Sequence, residues 1–197
     1  MKKIYIIIAL FIAFLSAAFA ETKAITDKDV ENFIVNMGNQ SQTILNDSKL
    51  TAKQKDIEYK KFTENIVDSN WVARFILGSH WKNLTSEQKK EFQELYKEYL
   101  LENYIPKLKD YNKDLEISKI IKQKDTVYMV YSKTKDLNNR EINVNFRVIV
   151  KNNNLYITDI IPEGISFISS QRSDVNGSIS QNGYDNFIKQ LKEKIKK

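Results

Sequence analysis

The stretch EINVNFRVIV, Glu141 to Val150, decides how this chain folds. Ile142, Val144, Phe146, Val148 and Val150 alternate with Asn143, Asn145 and Arg147. A period of two places the apolar side chains on one face of a strand and the polar ones on the other. Such a strand needs neighbours, and the flanking sequence supplies them. Upstream, TVYMVYSK (Thr126 to Lys133) reads as a second strand, joined through a turn at Asp136 to Asn139. Downstream, Asn152 to Asn154 make another turn before LYITDII, Leu155 to Ile161. From Leu115 onward the period is that of an antiparallel meander.

Before Leu115 the spacing is helical. Thr26 and Asp29 form a capping signal, followed by Val30, Phe33, Ile34, Met37, Ile44 and Leu45 on one face. Thr51 with Gln54 opens a second helix carrying Tyr59, Phe62 and Ile66. NWVARFILG ends at Gly78, read as a left-handed C-cap. Thr85 with Gln88 opens a further helix whose stripe is Phe92, Leu95, Tyr96, Tyr99 and Leu100. Pro106 is expected to kink or end it, since proline lacks the N–H and clashes with the preceding turn. A last helix begins at Tyr184 with Phe187, Ile188, Leu191 and Ile195. The order of elements predicts an α+β fold. Its helical N-terminal half packs on a curved antiparallel sheet of about four strands, with a C-terminal helix, around an apolar cavity.

The N-terminus predicts export. Lys2 and Lys3, the apolar run Ile4 to Leu15, and Ala18-Phe19-Ala20 have the layout of a signal peptide. Residues 1–20 are therefore expected to be cleaved, leaving 21–197 as a single domain. The chain has no cysteine, which rules out a disulfide framework and a lipid-modified cysteine. Loss of Lys2 and Lys3 would lower the net charge from +6 to +4. That mild basicity suits an acidic partner or an anionic headgroup, and it is too diluted by acids to argue for nucleic acid.

Catalysis finds little support. His80, the one histidine, stands beside Trp81 at a helix end, a place for a cap or surface residue. No nucleophile elbow, glycine-rich phosphate loop or calcium loop is present. The prominent residues are apolar and aromatic: Trp71, Phe75, Ile76, Leu77, Trp81, and Phe92 through Leu100. A pocket and a solid core look the same at this level.

These residues also resemble a known family. Leu77, Gly78, Trp81, Thr85, Gln88 and Phe92 match the L-G-x-x-W-x-x-x-(T/S)-x-x-Q-x-x-x-F segment of MlaC-type periplasmic phospholipid carriers, the toluene-tolerance family. Asp159, Glu163, Gly164, Ile165 and Ser166 fit its D-x-x-x-E-G-(V/I)-S segment, and NGYDNFIKQL is similar to its closing helix. Leu155 departs from the tryptophan that many members carry there, and Pro106 falls inside the family's long helix.

The resemblance implies a non-enzymatic, monomeric periplasmic protein of a Gram-negative-type cell, without cofactor. Its cargo would be glycerophospholipid, moved between an outer-membrane lipid-extracting complex and an inner-membrane ABC-type transport complex to maintain outer-membrane lipid asymmetry. At about 0.8 kcal/mol per methylene, two acyl chains of roughly thirty methylenes resist exposure by about 20 kcal/mol or more, so the cargo needs an enclosed cavity. The expected lipid-binding residues are Phe75, Leu77, Trp81, Phe92, Tyr96, Val144, Phe146, Val148, Ile165, Phe167 and Ile168. In this reading Pro162-Glu163-Gly164 ends the last strand and turns the chain across the cavity mouth, with Ile165, Phe167 and Ile168 lining the entrance. An exported ligand- or peptide-binding adaptor is the alternative. An enzyme on a related cone-shaped α+β fold is a further one, disfavoured by the apolar strand face.

Overall fold

Capping chemistry sets the start of each helix in the N-terminal half. The computed structural model describes residues 24–103, 115–135 and 138–195. Helix α1, Asp27–Asn46, opens with a capping box in which Thr26 accepts from the Asp29 N–H and the Asp29 carboxylate accepts from the Thr26 N–H. Helix α2, Ala52–Ile66, repeats the device with Thr51 and Gln54. Helix α3, Ser69–Leu77, is capped by Asp68, which accepts from the Trp71 N–H at 3.0 Å. A 3₁₀ segment, Gly78–Asn83, leads to helix α4, Ser86–Asn103, whose entry is tied by Thr85 and Gln88. Gly78 does end α3, but with φ 55° and ψ −121° it is not the expected left-handed cap. The chain leaves it straight into the 3₁₀ turn. The signal-peptide assignment and the expected break at Pro106 lie outside the described residues.

Four strands follow: β1 Glu116–Lys124, β2 Val127–Lys135, β3 Glu141–Lys151 and β4 Asn154–Pro162. They pair antiparallel in the order β1-β2-β3-β4, the meander that the alternation predicts. A register shift between Arg147 and Val148 lets Val148 pair with Ile157 while Arg147 pairs with Asp159. Val144, Phe146, Val148 and Ile157 thereby share one buried face, and Arg147 and Asp159 the other.

Beyond β4 the structure departs from expectation. Pro162 ends the strand and Glu163-Gly164 turn with φ 48° and 81°. The chain then enters helix α5, Phe167–Asn182, before α6, Tyr184–Ile195. Two helices follow the sheet where one was expected.

The described residues bury two apolar clusters. One joins the inner sheet face to α1: Val30, Ile34 and Met37 against Tyr128, Val130, Val144, Phe146, Val148 and Ile157. The other is all-helical and draws on α3, α4, α5 and α6, with Ala73, Ile76, Leu77 and Phe92 sealed at its centre. Val67 packs against both and makes a parallel bridge to Ile157 at the β4 edge. Next to it, Asp68 is buried and accepts from Lys151 Nζ of β3 at 2.6 Å. Asp159 ties the lobes a second time, accepting from the Ser166 hydroxyl at 2.6 Å and the Ile168 N–H at 3.2 Å.

Candidate functional site

The inner sheet face is closed by two helices of unequal grip. Helix α1 inserts Val30 and Ile34 fully and Met37 nearly so. Helix α2 buries only Tyr59 and Thr63. Between α2 and the sheet lies a narrow apolar slot bounded by Met37, Tyr59, Phe62, Ile66, Val144, Phe146, Ile157 and Ile160. Its free space is about 30 Å³, one water molecule's share of liquid. Polar groups are few. The Tyr59 hydroxyl accepts from Ser41 Oγ at 3.3 Å, and the Thr63 hydroxyl donates to the Tyr59 carbonyl at 2.8 Å. The walls therefore offer dispersion contacts and almost nothing that would hold an ion.

The expected lipid-binding residues fall in four places. Val144 and Phe146 line the slot, and Val148 belongs to the same sheet cluster. Leu77, Phe92, Tyr96 and Ile168 are buried in the helical core, where Phe92 stacks on Tyr96 at 5.1 Å and the Tyr96 hydroxyl donates to Gln171. Phe167 packs on that core from its edge. Phe75 and Trp81 line a separate surface cleft of about 360 Å³ with Trp71, Arg74, Lys82 and Arg172. Ile165 is 65% exposed at the β4–α5 turn.

The chain thus does not gather the eleven residues into one cavity. The slot's other walls, Tyr59, Phe62 and Ile66, are legible in sequence as a helical stripe. Nothing local says that the stripe meets Val144.

Among the described residues, Asp159 is the one buried carboxylate whose titration is clearly displaced upward. Burial raises it, and the hydrogen bonds from Ser166 and Ile168 and the Arg147 charge pull the other way. It faces the helical lobe, away from the slot, and serves the join between lobes. Among the described residues no group of His, Asp and Glu side chains is arranged to hold a metal ion.

Comparison with known proteins fits this architecture. No curated protein sequence matches the chain. Among solved structures, a phospholipid-binding protein from Ralstonia solanacearum, in complex with a phospholipid, superposes with a TM-score of 0.63. It is 17% identical, and the match covers 84% of this chain and 92% of that one, so the likeness establishes a shared fold. The sequence profile of the family described as MlaC protein matches residues 36–193, from the middle of α1 almost to the end of α6. That span takes in both lobes, the sheet and the slot, and the chain belongs to the MlaC family.

Proposed function

We propose that this chain is an exported carrier that binds glycerophospholipid through its acyl chains and shuttles it between outer- and inner-membrane transport complexes. The observation that carries the reading is the apolar slot between α2 and the sheet, in a fold shared with a protein solved with phospholipid bound. The slot is too narrow for an acyl chain as it stands, so loading requires a wall to move. Helix α2 is the wall that can. It contributes two buried side chains, against five residues from α1, and it meets the sheet chiefly along β4. Each methylene that enters gains about 0.8 kcal/mol by leaving water, so a chain of ordinary length readily offsets the displacement of a lightly seated helix. The headgroup stays outside, in water. No covalent step is involved, and the periplasm is the compartment in which such a carrier works.

The test is native mass spectrometry of the mature protein purified from cells with ordinary membranes, beside organic-solvent extraction. One phospholipid per chain is expected. Ile66 and Ile160 line the slot and are only partly buried, so a carboxylate placed there can reach water. Ile66→Glu and Ile160→Glu should each lower bound lipid severalfold with melting temperature close to wild type. Lipid-free protein throughout would remove the proposal.

A further inference from the structure

The cleft on the helical lobe lies apart from the slot and has a chemistry of its own. Its walls come from α3, the 3₁₀ segment and α5, and their side chains are aromatic or cationic: Trp71, Phe75 and Trp81 with Arg74, Lys82 and Arg172. Trp71 and Phe75 stack at 5.3 Å. Arg172 lies over the Phe75 ring at 4.9 Å, and Arg74 and Lys89 approach the Trp81 ring at 5.9 and 5.7 Å. Among the described residues none of these four cations forms an ion pair, and no carboxylate lines the cleft.

The backbone makes room for this arrangement. A Cβ on Gly78 would stand 2.7 Å from Arg172 Nη2 and 3.0 Å from its Cζ and Nε. The guanidinium therefore rests between bare backbone and the Phe75 ring. Like cations gathered without counter-charge raise the local potential, and a guanidinium already held in place loses little freedom when a carboxylate arrives. The rings supply what a purely ionic patch lacks, an apolar seat with a defined shape.

We infer that this cleft is a docking site for an acidic segment of a partner protein, seating one aromatic or apolar side chain between the tryptophans while flanking carboxylates pair with Arg74, Lys82 and Arg172. Concavity favours a peptide over a bilayer surface. A flat array of headgroups would meet only the rim, whereas a side chain can enter a cleft of about 360 Å³. The net charge, +6 for the full chain and +4 without residues 1–20, favours an acidic partner as well.

The protein reports on this cleft directly, because both of its tryptophans line it. The experiment titrates the mature protein with the tryptophan-free peptide acetyl-Glu-Asp-Phe-Glu-Asp-amide and follows intrinsic fluorescence. The charge-reversed acetyl-Lys-Arg-Phe-Lys-Arg-amide and phosphatidylglycerol vesicles are run in parallel. A saturable change with the acidic peptide alone is expected, weakening about tenfold between low and physiological salt as screening takes hold. Arg74→Gln and Arg172→Gln should each weaken it with unchanged melting temperature, and Lys119→Gln on the exposed edge of β1 should leave it unaltered. Equal response to both peptides, no saturable response to the acidic one, or a response to vesicles only would each overturn the inference. Lipid content by native mass spectrometry should be the same in wild type and Arg74→Gln/Arg172→Gln. A chain that never carries lipid would sink the carrier proposal and leave the peptide titration standing.

Discussion

Gly78 shows how a single residue fits two elements of the helical lobe together, and Asp159 how one residue joins helices to sheet. Gly78 has φ 55° and ψ −121°, a region that a Cβ disfavours, and it stands against the Arg172 guanidinium. Gly78→Ala is expected to cost about 1–3 kcal/mol of backbone strain, seen as a lower urea midpoint with unchanged slope. Gly164 differs. Its φ of 81° also favours glycine, yet a Cβ there would meet nothing, so only the turn itself constrains it. Asp159 couples stability to pH. Its carboxyl titrates above the ordinary value because burial penalises the charge, so the folded protein holds the proton more tightly than the unfolded chain. This group's contribution to stability is therefore greatest in acid. It declines as pH rises from about 4 through the raised value, and levels off beyond it. Asp159→Asn can still accept from Ile168 and can donate to Ser166. It should keep stability within about 1 kcal/mol of wild type near neutrality and flatten that part of the pH profile. Equilibrium denaturation of both proteins across pH 4 to 7 checks the difference.

At the scale of elements, helix starts follow from capping residues while helix seating follows from packing. Asp68 both caps α3 and receives Lys151 from the sheet. Asp68→Ala should cost about 1–2 kcal/mol for the lost cap alone, somewhat more with the ion pair, and chemical denaturation measures it. Helix α5 is the element that sequence reasoning missed. After the Ser166 cap, FISSQRSDVNGSISQN is rich in serine and asparagine and contains Gly177, residues that favour caps and turns over helix interiors. Its apolar positions Ile168, Val175 and Ile179 are sparse, and they become a stripe only because the helical core receives all three. Asp159, brought from β4, then serves the first turn from outside the helix. Helix α2 is the opposite case, clear in sequence and lightly seated in the fold. Its amides should exchange with solvent faster than those of β2 and β3, and slow when lipid is loaded, as hydrogen-exchange mass spectrometry can show.

At the scale of the molecule, two clusters meeting at Val67 divide the labour. The helical core is sealed around Ala73, Ile76, Leu77 and Phe92, while a cleft of about 200 Å³ opens at its edge between α4, α5 and α6, past Tyr96, Val175, Phe187 and Leu191. Phe92, fully buried and outside the walls of that cleft, stands for stability. Phe92→Ala should cost about 3–5 kcal/mol, while the lipid found per folded chain stays at the wild-type level. The sheet cluster keeps a slot beside its most weakly held helix. A substitution that distinguishes the lobes in this way, by paired thermal melts and native mass spectra, tests whether cargo and scaffold are separable.

How much of this was legible beforehand follows the same scales. Alternation from Ile142 to Val150 determines the meander, because a period of two leaves one face to be buried. Thr26, Thr51 and Thr85 determine three helix starts, because their hydroxyls and the side chains three residues on satisfy free N–H groups locally. Those are short-range effects, and the chain itself contains them. Which apolar stripe meets which is a long-range matter. Phe75, Leu77, Trp81 and Phe92 are all apolar positions within residues 75–92, yet two seal a core and two face an open cleft. Tyr59, Phe62 and Ile66 look like any helix stripe until the chain passes Val67 along the β4 edge and lays α2 over Val144 and Phe146. Burial rewards apolar surface without regard to partner, so pairing is decided only when the lobes close on each other.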